Sequence, residues 1–163
     1  MISVEQLLQA YELHKNITIS LIDTIPAERF TEQPEGIKNH PAWILGHMVV
    51  AENNAYKLIT GKSICSDEEN ELFTVGSEPV GDAGLYPDKT ALVEKYLEMH
   101  RLLSEALEDC LSEVFAREMP VERLKPRFPT LGTFFVHVCS GHEGYHLGQM
   151  NVWRKVTGLA PNG

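Results

Sequence analysis

Gly141-His142-Glu143-Gly144-Tyr145-His146-Leu147-Gly148-Gln149 places two histidines one helical turn apart. On a helix the i, i+4 spacing sends both imidazoles from successive turns in the same direction, so both can close on one metal ion. The five residues His142 to His146 also fit His-Glu-x-x-His, the zinc motif of many metallopeptidases. Such a pair supplies two ligands, and a working site needs a third. The extended peptidase motif places Gly three and His six residues past the second His, where this chain has Gln149 and Val152. Residues 147–163 contain no His, Asp, Glu or Cys. The third ligand must therefore come from an upstream segment folded against this one.

His47 fills that role. It lies on an apolar stripe with Trp43, Val50, Ala51, Asn54 and Leu58, which a helical protein turns toward its core. Two histidines on one helix and one on another match a metal site with a coordination position left open. Glu143 stands beside the pair, as a general base, a residue orienting a ligand, or a surface residue about 80° off the core stripe. Cys139, three residues before His142, is either a thiolate ligand or a small buried hydrophobe. Thr18 and Asn54 are polar residues on apolar stripes, suited to contact a substrate or fix a ligand tautomer. His137 is expected on the face opposite the paired ligands, and His40 as a cap or loop residue at the entry to its helix. His14 and His100 fall at stripe margins. A di-iron carboxylate site would need a second Glu-x-x-His and further inward glutamates, and neither is evident.

Four segments with a helical apolar period position these residues. The first opens on Ser3-Val4-Glu5-Gln6, a capping box, with Ile2 and Leu7 as a hydrophobic staple. It buries Val4, Leu7, Leu8, Tyr11, Thr18, Leu21, Ile22 and Ile25. The second runs from Pro41, a favoured first helical position, to about Gly61. The third spans about Asp88 to Leu111. The fourth follows Pro129-Thr130 and ends near Gly158, with Leu131, Phe135, Val138, Cys139, His142, His146, Met150 and Trp153 inward. No segment alternates with period two, so an all-α four-helix bundle is predicted. Residues 62–87 form a long connection between the second and third helices, expected to cover a site and to act as a crossover. The acidic run Asp67-Glu68-Glu69 with Glu71 reads as solvated loop.

Bulk composition narrows the function classes. A chain of 163 residues with 43% hydrophobic and 23% charged residues reads as one soluble domain, residues 1–163. A net charge of -9 disfavours nucleic acid or an anionic membrane as partner. No apolar run has membrane-spanning length, and the N-terminal residues show no signal-peptide pattern. The three cysteines form no Cys-x-x-Cys pair, so a reducing cytoplasmic setting is expected.

Several stretches together resemble the DinB/YfiT-like superfamily. They are Trp43-Ile44-Leu45-Gly46-His47, His142 to Gln149, Trp153-Arg154, Gly158-Leu159 and Pro26-Ala27-Glu28-Arg29-Phe30. The resemblance implies an up-down-down-up bundle holding one divalent ion, zinc or nickel, through His47, His142 and His146. It also implies a homodimer. Characterised members of that superfamily include S-transferases and isomerases using low-molecular-weight thiols such as bacillithiol or mycothiol, and metal-dependent hydrolases. Transfer of a small thiol to an electrophilic substrate is therefore the expected activity. Hydrolysis with Glu143 as base, or a non-catalytic metal-binding or stress-response role, are the rivals.

Overall fold

The structure, a computed structural model, describes residues 3–110 and 112–160. The proposed staple residue Ile2 and the third segment's Leu111 lie outside them. The described residues are helical, with one isolated antiparallel bridge between Glu118 and Thr130. Helix α1 spans Val4–Asp23, α2 Pro41–Thr60, α3 Asp67–Phe73, α4 Lys89–Glu108, α5 Ser112–Ala116 and α6 Leu131–Val136. A π-helical segment, His137–His142, then leads into α7, Glu143–Val156. Helix α2 packs against α4 and α7, and α1 packs against the same two.

Local chemistry sets the ends. Ser3 and Gln6 cap α1 reciprocally, as the sequence predicts. The last turn of α1 has no basic residue of its own; instead Lys89 Nζ donates to the carbonyls of Ile22 and Ile25, at 2.9 and 2.7 Å. Those carbonyls are satisfied by a charge from the start of α4. His40 caps α2 as expected, its Nδ1 accepting from the Trp43 N–H at 3.1 Å. Gly61 ends α2 with φ of 76°, a left-handed conformation that favours glycine.

Two expectations change. Asp67-Glu68-Glu69 form the first turn of α3, capped by Ser66, rather than an open loop. Acidic residues suit that position because they face the positive end of the helix dipole. Glu69 also pairs with Lys95 of α4. The fourth segment is not one continuous α-helix but α6, a π turn and α7 in series.

Helix α2 is the enclosed element. Every residue from Pro41 to Val50 is buried, because the first half is apolar on all sides and α3, α4, α6 and α7 cover it. Such a segment offers no polar face from which to read its rotation. In its second half the buried positions are Glu52, Asn53, Ala55 and Tyr56, while Asn54 is exposed. The stripe drawn through Asn54 is therefore rotated from the one that packs.

The 62–87 connection is ordered against α2 through α3. The Phe73 ring lies over Gly46, where any Cβ would overlap ring carbons. Gly46→Ala should displace the ring and destabilise the fold by about 1–3 kcal/mol. A thermal melt indistinguishable from wild type would show that α3 is not seated on α2 in this way.

Candidate metal centre

His47 reaches the core from α2, while His142 and His146 come from the end of the π turn and the first turns of α7. Their ring nitrogens converge, with His142 Nε2 at 3.1 Å from His47 Nε2 and 3.2 Å from His146 Nε2. These three are the only group of His, Cys, Asp or Glu among the described residues able to share a metal ion, one atom from each. Tetrahedral zinc with metal–nitrogen bonds of about 2.0–2.1 Å requires nitrogens about 3.3 Å apart. The observed spacing is close to that edge length.

The outer nitrogens decide the tautomers. His47 Nδ1 donates to the Phe73 carbonyl at 2.7 Å. His146 Nδ1 donates to Gln149 Oε1 at 2.9 Å, and that oxygen also accepts from Asn39 Nδ2 at 3.3 Å. Both rings therefore present a bare Nε2 lone pair to the centre. His142 Nε2 carries at most one hydrogen, which can satisfy only one of its two neighbours. Without a cation, one lone pair must face another. A metal ion accepts all three at once, so the donor set fits one.

Burial keeps the rings neutral. His47 and His146 are 5% and 4% exposed. Desolvation lowers the pKa of all three, that of His146 to about 4 and, with the neighbouring rings adding, that of His142 to about 3. Trp43 stacks on His47 with ring centroids 4.7 Å apart and planes 6° from parallel, held by its Nε1 donating to Ser77 Oγ at 2.9 Å. The 62–87 connection thus supplies both the acceptor and the brace for His47.

The π turn corrects the reading of His137. In an α-helix, residues five apart point about 140° from each other. The i→i+5 hydrogen bonding of a π turn instead brings them toward one face. His137 is half-buried beside the site, its ring centroid 5.6 Å from that of His142. Glycine-containing sequence within Val138-Cys139-Ser140-Gly141 gives no periodic signal for this.

Glu143 is completely buried, not at the surface. Its Oε2 accepts from Tyr96 O–H at 3.1 Å, and it faces Glu52, which is also fully buried. Glu52 is an inward glutamate that the sequence reading missed, although a second Glu-x-x-His is still absent. Tyr11 and Thr18, both fully buried, complete this cluster, Tyr11 facing Glu52 and Thr18 facing Tyr96. Burial, and for Glu52 the neighbouring Glu143 carboxyl, raises both acids, Glu143 to about 7. Thr18 therefore sits near Tyr96 in this polar interior rather than at the histidines. Cys139 is buried, and desolvation together with Glu52 and Glu143 pushes its thiol up, so it stays protonated outside the histidine group. Asn54 is exposed on α2 and joins neither cluster. His14 donates to the Cys139 carbonyl at 3.4 Å, and His100 stacks on Tyr11 at 3.9 Å.

The depressed histidine pKa values give a pH prediction. A free imidazole with pKa near 6.5 must lose a proton to bind metal below neutrality. Here burial already lowers the pKa of all three folded rings, so metal affinity should fall less steeply between about pH 7.5 and about pH 5.5 than it would for free imidazoles. Chelator competition across that range checks it. A steep loss through about pH 6.5 would mean ordinary, protonatable rings.

The DinB superfamily model matches residues 10–150, a span that holds all three histidines and both glutamates of the buried pair. No curated protein matches the chain. A crystal structure of a protein from Streptococcus pneumoniae is similar over 96% of this chain and 92% of that one, with a TM-score of 0.71. At 16% identity that likeness concerns the fold alone. With a family match across most of its length, this chain belongs to the DinB superfamily.

Proposed function

We propose that this protein is a metal-dependent transferase that moves a low-molecular-weight thiol to an electrophile. The observation that carries the reading is the convergence of three neutral imidazoles, two of which have their outer N–H groups already committed to carbonyl oxygens. His47, His142 and His146 would hold one zinc or nickel ion per chain. Such an ion, when bound, acts as a Lewis acid that lowers the pKa of a thiol brought to the open position. Imidazole donors suit both metals.

The position of Glu143 favours transfer over hydrolysis. A hydrolase needs a general base within reach of the attacking water. One oxygen of the Glu143 carboxyl accepts from Tyr96, and the group is completely buried facing Glu52. It holds that polar cluster together, and the histidines alone meet the thiol. Superfamily membership supports the wider frame: one domain, an up-down-down-up arrangement of the four long segments, a cytoplasmic setting and a homodimer. No described helix is long and apolar enough to cross a membrane.

The test begins with metal analysis, which should find about one divalent ion per chain, retained poorly by His47→Ala. A panel of small thiols against electrophilic acceptors should then show turnover that requires thiol and metal. General-base catalysis contributes about 10²–10⁴-fold, so Glu143→Gln should lower thiol transfer by far less than that while metal content stays normal. A loss beyond about a hundredfold with metal and fold intact would place Glu143 in the catalytic set. Ester or amide cleavage without thiol would favour the hydrolase.

The dimer is tested separately. Sedimentation at micromolar concentration should give a species near twice the 18.3 kDa chain mass. A single species at the chain mass would exclude it.

A further inference from the structure

The two outer acceptors at the histidine cluster differ in kind. His47 Nδ1 donates to the Phe73 carbonyl, a backbone oxygen that can only accept. His146 Nδ1 instead meets the side-chain amide of Gln149, at 2.9 Å. An amide has an oxygen end that accepts and a nitrogen end that donates. Turned by half a rotation, Gln149 would offer an N–H to Nδ1, and the neutral ring would carry its own hydrogen on Nε2. That hydrogen would point toward His142 Nε2, 3.2 Å away, and the lone pair needed for a metal would be lost. The competence of His146 as a ligand thus depends on which end of one side chain faces it.

Asn39 is placed to decide this. It lies in the segment that enters α2, two residues before Pro41 and 110 residues from Gln149. Its Nδ2 donates to the same Gln149 oxygen, at 3.3 Å. Among the described residues neither side-chain amide makes a further hydrogen bond. Gln149 can therefore turn only if Asn39 turns with it, because N–H would otherwise face N–H. The neighbouring His40 is held at both ring nitrogens, by the Trp43 N–H and the Val80 carbonyl at 3.1 Å each, which steadies the backbone from which Asn39 projects.

We propose that Asn39 is a positioning residue of the metal centre: through the Gln149 amide it fixes the His146 tautomer that leaves Nε2 free for the ion. The effect passes through hydrogen-bond direction and not through charge, since both amides are neutral. It rests on the three-histidine metal reading above and is independent of the substrate.

Two measurements on the full chain test it: zinc affinity by chelator competition, and the His146 tautomer in metal-free protein from long-range proton–nitrogen correlation spectra. Metal-free wild type should carry the hydrogen on Nδ1. Asn39→Asp keeps the shape but can only accept, so it should turn Gln149, move the hydrogen to Nε2 and lower zinc affinity by about 10–100-fold. Simple electrostatics gives the opposite sign, because an added negative charge near a divalent ion strengthens its binding. Gln149→Glu supplies an acceptor with no donor end. In that background Asn39→Ala should change zinc affinity by less than about twofold, against about tenfold in the Gln149 protein. Equal losses in both backgrounds, an unchanged or raised affinity in Asn39→Asp, or a wild-type hydrogen on Nε2 overturns the proposal. Thermal melts check that each variant folds, and the Gln149→Glu comparison decides the matter if Asn39→Asp does not. Should wild type hold no zinc, the metal reading fails on its own, and the metal-free tautomers of wild type and Asn39→Asp then decide the role of Asn39.

Discussion

Three imidazole nitrogens brought within 3.1–3.2 Å of one another inside a protein cannot satisfy each other. Each ring carries one hydrogen when neutral, and two of those hydrogens point away to Phe73 and Gln149. Protonating a ring would add a donor, but burial makes that charge costly. A cation is the simple resolution. The surrounding structure is arranged around this constraint: α2 is buried along its first half, the 62–87 connection provides an acceptor and a brace, and the fourth segment departs from α-geometry where His142 enters.

The π turn has a double effect. It lets His142 and His146 keep their one-turn spacing at the start of α7 while bringing His137 to the same side. It also precedes Glu143 directly, so the metal centre and the buried carboxyl cluster share one local backbone distortion. On one side lie nitrogen donors with depressed pKa values, and on the other lie oxygen groups with raised ones. Desolvation causes both shifts, since burial disfavours the charged form of each group. The same interior thus prepares neutral imidazoles for metal and keeps a pair of carboxyls close without a countercharge.

Much of the scaffold was legible from local chemistry. The Ser3 capping box, Pro41 entry, His40 cap and Gly61 stop depend on residues within one turn, so their patterns survive in the sequence. The acidic run of the 62–87 connection is exposed at Asp67, Glu68 and Glu71, as its composition suggests, but a Ser66 cap and the pairing of Glu69 with Lys95 make it a helix start rather than open loop. Asn54 faces outward and Glu52 inward for another reason. A helix enclosed on all sides leaves no polar face to fix its rotation.

The sequence by itself determined the three metal-binding candidates, because i, i+4 spacing and one inward histidine on a second helix are properties of residue type and period. It also determined the all-helical class. Only tertiary structure decided which nitrogens face inward, since the tautomers depend on acceptors 26 and 3 residues away. Likewise, the Glu52–Glu143 pairing and the approach of His137 to His142 required helices from distant parts of the chain and a π turn with no periodic signature. Hydrophobic pattern specifies which face is buried; it does not specify what that face meets.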